Sequence, residues 1–572
     1  MGEGKNWIIR GEITEDKRRA LFAYSPLLRK LLSSRGIARV EEAEVFLNPD
    51  WARDNHDPFL TKNMEEAVER ILRAIKNSEK ILIFGDYDAD GIPGVALLYS
   101  LFGRIGYNNV EIYIPDRYTE SYGLAKKSIR EFASREVKVM ITVDCGITDI
   151  YEAGVAKSCG IDLIITDHHL LHNVLPDAYA IINHKRPDDT YPFKHLSGAG
   201  TILKLTQAII AVLNLPKEYE YELLDLATIS TVCDMVPLVG ENRALVHEGL
   251  QVLASSRRAG VQALCRTAGI KQKYITENDI AFVFGPRINI SSRMSRGIDA
   301  FHLLTTKDTM LANTLAKQLE ERNLERRKTV DVILEAVGEQ ITEEDMPDMI
   351  TAGSPDWRIG VLGLTANRLL EKYNRPICLW THHQNGFVKG SCRTSGEVLV
   401  TDLFEMAGGS DFFDDYGGHT NSGGFSLSLE KVGELNVRLQ EAYRKLAKKN
   451  TDKDIIVVDQ KLELKEISWA LYIELRRLAP FGKGNQNPIF MFENIKVNKE
   501  REFANGQAHV EFKLSKDNGP QVSVVAFFPP LDILSQFLSA PAIDILANIE
   551  VDFWRGSPEL RLRLVDLRKS NQ

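Results

Sequence analysis

The chain has no cysteine pair at CxxC spacing; its six cysteines are scattered along 572 residues. That excludes a disulfide framework and a zinc ribbon, and each thiol reads as a small buried apolar side chain. No apolar run approaches the roughly 20 residues needed to cross a bilayer. The opening Met1-Gly-Glu-Gly-Lys-Asn-Trp7 lacks the apolar segment of a secretory signal. A cytoplasmic protein with no membrane attachment is the expectation. An excess of positive charge is missing too: 71 Lys and Arg against 79 Asp and Glu leave a net charge of −8. This excludes a uniformly basic coat but not a local basic groove, because acidic residues gathered at one site account for the balance. What remains, 44% hydrophobic and 26% charged residues, is ordinary globular composition. The length calls for about three or four domains rather than one core.

One pattern recurs: a short apolar run that stops at ionisable groups. Lys80–Gly85 ends in Asp86-Tyr-Asp88-Ala-Asp90-Gly91, and Val137–Val143 ends in Asp144-Cys-Gly146. Ile161–Thr166 ends in Asp167-His168-His169, and the apolar-rich Leu223–Val232, read in the same way, leads to Asp234. Such runs predict buried parallel strands, whose carboxyl ends open onto the crevice where open α/β sheets bind ligands. Any one of these aspartates alone is as well explained as a helix cap. Asp86 and Asp167 read as caps, or as partners that fix a histidine tautomer. Four such ends together predict a metal site.

Asp88 and Asp90, two residues apart, can converge on one cation. Carboxylates with one imidazole suit Mg²⁺ or Mn²⁺, the histidine tilting the choice towards Mn²⁺. The donor count exceeds what one ion takes while keeping room for water and substrate. Two ions sharing a carboxylate, about 3.5–4 Å apart, fit the count and imply hydrolysis of a phosphoester or phosphoanhydride.

The rest of the chain is read around that site. Residues 1–75 look helical and amphipathic, with Ser25 as N-cap before Pro26, and 51–60 reads as an irregular connector. From 76 to 260 strand and helix alternate, predicting an α/β fold, a doubly wound and mostly parallel sheet. Residues 261–345 form a helical connector with a long helix from about Asp308 to Glu339, its apolar stripe at Leu311, Leu315, Leu319, Val330, Ile333 and Val337. Arg322, Arg326, Arg327 and Lys328 on it read as a solvated face with Glu–Arg pairs, or as a basic turn facing phosphates. A second α/β domain spans 346–450. In 451–572, alternation in Leu560–Val565, apolar runs at 455–458 and 522–528 and turn signals at Asn505-Gly and Asn518-Gly-Pro predict short antiparallel strands in a small β-barrel, an OB-fold being the commonest.

Asp86-Tyr-Asp-Ala-Asp-Gly, Val143-Asp-Cys-Gly, Thr166-Asp-His-His and Cys233-Asp-Met-Val-Pro-Leu, in that order, resemble the four motifs of the DHH phosphoesterase superfamily. Gly417-Gly-His-Thr-Asn-Ser-Gly423 resembles the glycine-rich motif of its DHHA1 partner domain. Gly285-Pro-Arg-Ile-Asn289, the long connector helix and Leu478-Ala-Pro-Phe-Gly-Lys-Gly-Asn-Gln-Asn-Pro488 look like the RecJ branch, single-strand-specific exonucleases. The resemblance covers nearly the whole chain. It implies Asp88, Asp90, Asp144, His168 and Asp234 as ligands of two Mn²⁺ or Mg²⁺ ions, with Asp144 bridging. It places His169 beside the scissile phosphate, and Arg117, Arg287, Ser391, Arg393 and His419 along the path to the terminal phosphate. For Arg287 and Arg393 a structural ion pair is the competing reading, and for His419 a structural role. Departures from the family pattern occur at Pro93, Ser121, Ser291, Cys392 and Ser422; none removes a metal ligand.

The expected activity is release of 5′-mononucleotides from the 5′ end of single-stranded DNA, in recombination and repair. A channel between the α/β domains would exclude duplex, the barrel would grip the strand, and Tyr122, Phe481 and Trp554 are stacking candidates or core. The alternatives are an RNA or short-oligonucleotide phosphodiesterase, or a single-strand-binding scaffold of weak activity. A single-strand-binding protein and a repair helicase are the implied partners of a monomer.

Overall fold

The computed structural model describes residues 6–117, 120, 122–294, 297–341, 346–383, 386–418, 420–447, 455–502, 509–515, 521–527, 534, 540–553 and 557–570. His419, Ser121, Trp554 and the turn signals at 505–506 and 518–520 lie outside the described residues. The chain divides into two compact units, one of residues 1–292, 296–319 and 454–572, the other of 293–295 and 320–453.

The first unit opens with a strand, β1 (Asn6–Ile9), where the sequence reading has only helices. Helices follow at Pro26–Ser34, Val40–Leu47 and Met64–Lys76. Ser25 caps the first of them as expected, its side chain accepting from Leu28 N at 3.1 Å. The stretch 51–60 is less irregular than its polarity suggests. It holds a short helix at Trp51–Asp54, and Trp51 is buried with its indole donating to Glu220 at 2.7 Å.

A five-stranded parallel sheet then forms from β2 (Lys80–Gly85), β3 (Val110–Tyr113), β4 (Val137–Val143), β5 (Asp162–Thr166) and β6 (Ala180–Ile182), in the order β3-β2-β4-β5-β6. Its central strands are buried on both faces, which is why they read as unbroken apolar runs. Between them lie helices, among them α1 (Gly91–Arg104), whose first turn holds Pro93, where a missing N–H leaves nothing unpaired. Two long helices follow the sheet, α2 (Gly198–Val212) and α3 (Glu218–Cys233). The second corrects the reading of Leu223–Val232 as a strand. Asp234 stands at a helix C-terminus, its N–H bonded to Ser230 O at 2.9 Å. Every residue from Leu223 to Val232 is buried, and an all-round apolar helix cannot be told from a buried strand by periodicity.

Further on come α4 (Gly285–Met294) and the 30-residue α5 (Thr309–Gly338), close to its expected bounds. Within the first unit its buried stripe is Ala312, Leu315, Ala316 and Leu319; Leu311 is 44% exposed. In the second unit, β7 (Ile350–Gly353), β8 (Ile377–His383), β9 (Phe387–Arg393), β10 (Asp415–Gly418) and β11 (Ser422–Ser428) form a mixed sheet, order β10-β11-β9-β8-β7.

Back in the first unit, β12 (Ile455–Val458) is not a barrel strand as expected but pairs in parallel with β1. The barrel is built from β13 (Gln460–Lys461), β14 (Phe490–Glu502), β15 (His509–Ser515), β16 (Val522–Phe527), β17 (Ile543–Asp552) and β18 (Glu559–Lys569). The β14–β17 pairing closes it, and β16 runs parallel to β18, so it is not wholly antiparallel. Its apolar filling, Phe490, Phe492, Phe512, Ile545 and Leu562, is continuous with Leu28, Leu31, Leu32, Ala43 and Leu47 of the first helices. The two ends of the chain thus share one core.

Candidate metal centre

The carboxyl ends of β2, β4 and β5 deliver the ionisable groups, and helix ends fix them. After β2 the chain turns tightly: Asp88 Oδ1 accepts from Asp90 N at 2.7 Å and Gly91 N at 3.0 Å. A Cβ on Gly91 would stand 2.5 Å from Asp86 O, so only glycine closes this turn. Asn289 on α4 braces it, accepting from Ala89 N at 2.9 Å. Asp90 is held at the start of α2 by Gly198 N and Ala199 N, at 2.7 and 2.8 Å, and by the Ser230 hydroxyl of α3 at 2.5 Å. Helix N-termini favour such an anion.

Asp144 follows β4 at φ +63°, a left-handed conformation an aspartate adopts at a cost. Its N–H bonds Thr166 O at 3.0 Å, and the Tyr122 hydroxyl donates to its carbonyl at 2.9 Å. After β5, Asp167 turns inward. Its carboxylate accepts from His168 N, His169 N and Ile147 N and meets His169 Nδ1 at 2.8 Å.

These groups converge on His168. Its Nε2 lies 3.2 Å from Asp144 Oδ1, 3.6 Å from Asp90 Oδ2 and 3.7 Å from Asp234 Oδ2. Among the described residues, three donor sets lie within 4.8 Å internally: Asp144-His168-His169, Asp90-His168-Asp234 and Asp86-Asp88-Asp144. Asp144 and His168 each belong to two of them.

The electrostatics ask for a cation. Burial first, and then the neighbouring carboxylates, push Asp86 and Asp144 well above the ordinary carboxylate range and Asp234 up to about 8. Asp86 Oδ1 and Asp144 Oδ1 are buried without a hydrogen-bond partner among the described residues. A buried polar oxygen left so costs free energy unless a cation satisfies it. Carboxylate oxygens with one imidazole suit Mn²⁺ or Mg²⁺, so the residues present fit such ions. His169 differs from its neighbour: burial lowers it, but the Asp167 carboxylate outweighs burial and lifts it to about 9.

Of the residues singled out in the sequence, Asp86, Asp88, Asp90, Asp144, Asp167, His168, His169 and Asp234 come together, with Tyr122 beside them. Asp167 orients His169, not His168. Tyr122 is neither core nor a bare stacking platform: its hydroxyl also lies 3.3 Å from His169 Nδ1. Arg117 stacks on Tyr87 at 5.2 Å. Arg287 is buried on α4, donating to Val283 O at 2.9 Å. In the second unit, Arg393 Nη1 donates to Ser391 Oγ at 2.9 Å. Phe481 packs against the barrel core. Residues to which the sequence reading gave no role are Gly198, Ser230, Asn289 and Asn183, the last donating to His169 O at 3.0 Å. Ser197-Gly-Ala-Gly200, a glycine-rich helix start, was the available signal.

A parallel sheet whose strand ends gather carboxylates and an imidazole around one crevice defines a metal-dependent phosphoesterase of the DHH type. Residues 80–231 match the DHH family, N-terminal domain, residues 346–445 the DHHA1 domain and residues 458–566 the RecJ OB domain. The chain is 34% identical over 548 residues to the single-stranded-DNA-specific exonuclease RecJ of Bacillus subtilis, covering 94% of this chain and 68% of that one. It belongs to the RecJ family. Thermus thermophilus RecJ in complex with Mn²⁺ has the same fold, with TM-score 0.82 at 26% identity, covering 100% of this chain and 81% of that one. The same protein with Mg²⁺ gives TM-score 0.76 at 25% identity, covering 100% and 80%. Among the described residues no helix is long and apolar enough to cross a membrane.

Proposed function

We propose that this protein hydrolyses single-stranded DNA from its 5′ end, releasing 5′-mononucleotides, with Mn²⁺ or Mg²⁺ held by Asp88, Asp90, Asp144, His168 and Asp234. The observation that carries the reading is His168 Nε2 ringed at 3.2–3.7 Å by carboxylates from three separate segments of the chain. Divalent ions bound there would polarise a water and offset charge on the phosphoryl oxygens. The chain's own part is to pre-position those donors: Asp90 by the α2 N-terminus and Ser230, Asp88 by its own turn, Asp144 by Thr166 and Tyr122.

His169 has its Nδ1 engaged by Asp167, which leaves Nε2 to face the phosphate and donate to its oxygens or to the leaving group. Arg117, Arg287, Ser391, Arg393 and His419 are proposed to bind the terminal nucleotide, as guanidinium forks and hydroxyls do. The reading includes action as a monomer in the cytoplasm, in recombination and repair. A single-strand-binding protein and a helicase are partners on the strength of the family resemblance.

The test uses purified protein with Mn²⁺ and single-stranded DNA labelled at its 3′ end, beside its duplex and an RNA of equal length. Products shortening from the 5′ end on the single strand alone are expected. Degradation of the RNA or of very short oligonucleotides without cleavage of the DNA would overturn the substrate assignment.

A further inference from the structure

His169 ends the Asp167-His168-His169 run, and between it and β6 the chain forms neither helix nor strand. Leu170, the next residue, is 73% exposed. Asp167 ties down the amino side of His169, accepting from its N–H at 3.0 Å and facing its Nδ1 at 2.8 Å. The carboxyl side is held by Asn183, which is 0% exposed and donates from Nδ2 to the His169 carbonyl at 3.0 Å. Asn183 follows directly on β6, whose last residue, Ile182, accepts at its carbonyl from Asp167 N at 3.1 Å. The ends of β5 and β6 are thus stitched together at the histidine.

Asn183 opens a loop that has no helix or strand of its own before α2, yet the loop is closely anchored. Its first turn is closed by Asn183 itself, which accepts from Lys185 N at Oδ1, at 2.9 Å, and from Arg186 N at its carbonyl, at 3.1 Å. Further anchors come from the N-terminal region, more than a hundred positions earlier in the chain. Thr61 Oγ1 meets His184 Nε2 at 3.2 Å, Lys62 N donates to Asp189 Oδ2 at 2.9 Å, and Asn63 Oδ1 accepts from Arg186 Nη1 at 2.8 Å. Thr61, His184, Arg186 and Asp189 are all buried. Any other arrangement of the loop would strand those polar groups in the interior, so their pairing selects this one. Three consecutive residues, Thr61 to Asn63, hold the loop whose first side chain holds His169.

We infer that Asn183 is a positioning residue for His169, and that Thr61, Lys62 and Asn63 keep it in place through the loop. The inference rests on the reading above that His169 faces the scissile phosphate. A donor to a reacting group must lie within hydrogen-bond reach of it, and a small misplacement lowers the rate of the chemical step. The N-terminal region thereby serves catalysis without supplying any of the proposed ligands.

The experiment is steady-state kinetics of the full chain on labelled single-stranded DNA with Mn²⁺, beside calorimetric titration of Mn²⁺. Asn183→Ala is expected to lower kcat about five- to tenfold, the effect of one such hydrogen bond, with KM and Mn²⁺ affinity within about twofold of wild type. A merely structural role would instead loosen the end of β5, which also carries His168, and weaken Mn²⁺ binding. Thr61→Val removes the bond to His184 from the far side of the loop. It should lower kcat about threefold in the same pattern, and it carries the test where Asn183→Ala does not fold. In a His169→Ala background, read as single-turnover rates, neither substitution should cost more than about twofold further. Wild-type kcat in both single variants, weakened Mn²⁺ binding, or undiminished losses without His169 overturn the inference. Wild-type turnover in His169→Ala itself overturns the placing of His169 at the phosphate instead.

Discussion

Gly198→Ala tests whether the helix start after the sheet sets the geometry of the centre. A Cβ there would stand 2.5 Å from Asp144 Cβ and 2.7 Å from its Cγ. Relief requires α2 or Asp144 to move by nearly an ångström. Asp144 is 2% exposed and already at positive φ, so it has little freedom to yield. Movement of α2 instead draws Gly198 N and Ala199 N away from Asp90, which they hold at 2.7 and 2.8 Å. Either response misplaces a proposed ligand. Overpacking of this kind costs about 1–3 kcal/mol of stability. Disturbing the groups that orient ligands costs ~10–100-fold in metal affinity.

The assay is calorimetric titration of Mn²⁺ alongside thermal melting. Gly103→Ala, where a Cβ meets nothing within 4 Å, serves as the control. The expected result is weakened Mn²⁺ binding and a lowered melting temperature for Gly198→Ala, with neither change for the control. Wild-type Mn²⁺ affinity in Gly198→Ala would refute the reasoning.

Asp144→Ala is expected to abolish hydrolysis while leaving single-strand binding within a few-fold, measured by product release and anisotropy; unchanged turnover would sink the ligand assignment. Tyr122→Phe removes the hydroxyl that supports the Asp144 carbonyl and approaches His169. A hydrogen bond worth ~0.5–1.5 kcal/mol predicts a fall in turnover of up to about tenfold, read from kcat in steady-state kinetics. Glu277, outside the proposed ligand set, gives a separate pH dependence. Burial raises its pKa, but Arg476 and the Phe481 N–H outweigh burial and hold it below the ordinary 4.5. Its stabilising share is therefore full above about 4.5 and is lost as pH falls through the depressed folded value. Glu277→Gln should cost roughly 2–3 kcal/mol at neutral pH, less than a fully buried pair because Arg476 is partly exposed. Melting curves of the two proteins should converge as the pH drops beneath that value.

What the sequence made legible follows from how each element is written. β2, β4 and β5 are central strands of a parallel sheet, so burial on both faces forces unbroken apolar runs, and function requires the polar groups at their ends. Asp86 to Asp90, Asp144 and Asp167 to His169 could be placed for that reason. Asp234 was found from the apolar run before it, but on the wrong element, because α3 is buried all round and mimics a strand until its length is weighed. The supporting groups were harder. Asn289 acts on Ala89 across 200 positions of sequence, and Ser230 on Asp90 across 140. Ser230 leaves no mark in its own neighbourhood, since a serine inside a buried helix looks the same whether it satisfies a carboxylate or its own backbone, and Asn289, though it ends the Gly285–Asn289 motif, carries no sign there of the turn it braces.

The pairing of β1 with β12 was hidden for a related cause. A short strand at the start of the chain declares itself only through a partner more than four hundred residues on, and the partner's apolar run was equally suited to the barrel. Local periodicity thus reports burial, and burial is common to many folds. Which buried groups touch depends on closures between distant segments, and these are made here by single polar residues: Asn289, Ser230, Asn485, Arg243 and Glu277. Each satisfies backbone or carboxylate groups that would otherwise be stranded in the interior. Substituting one of them should therefore act at a distance, on the turn it closes, before it acts on the helix that carries it.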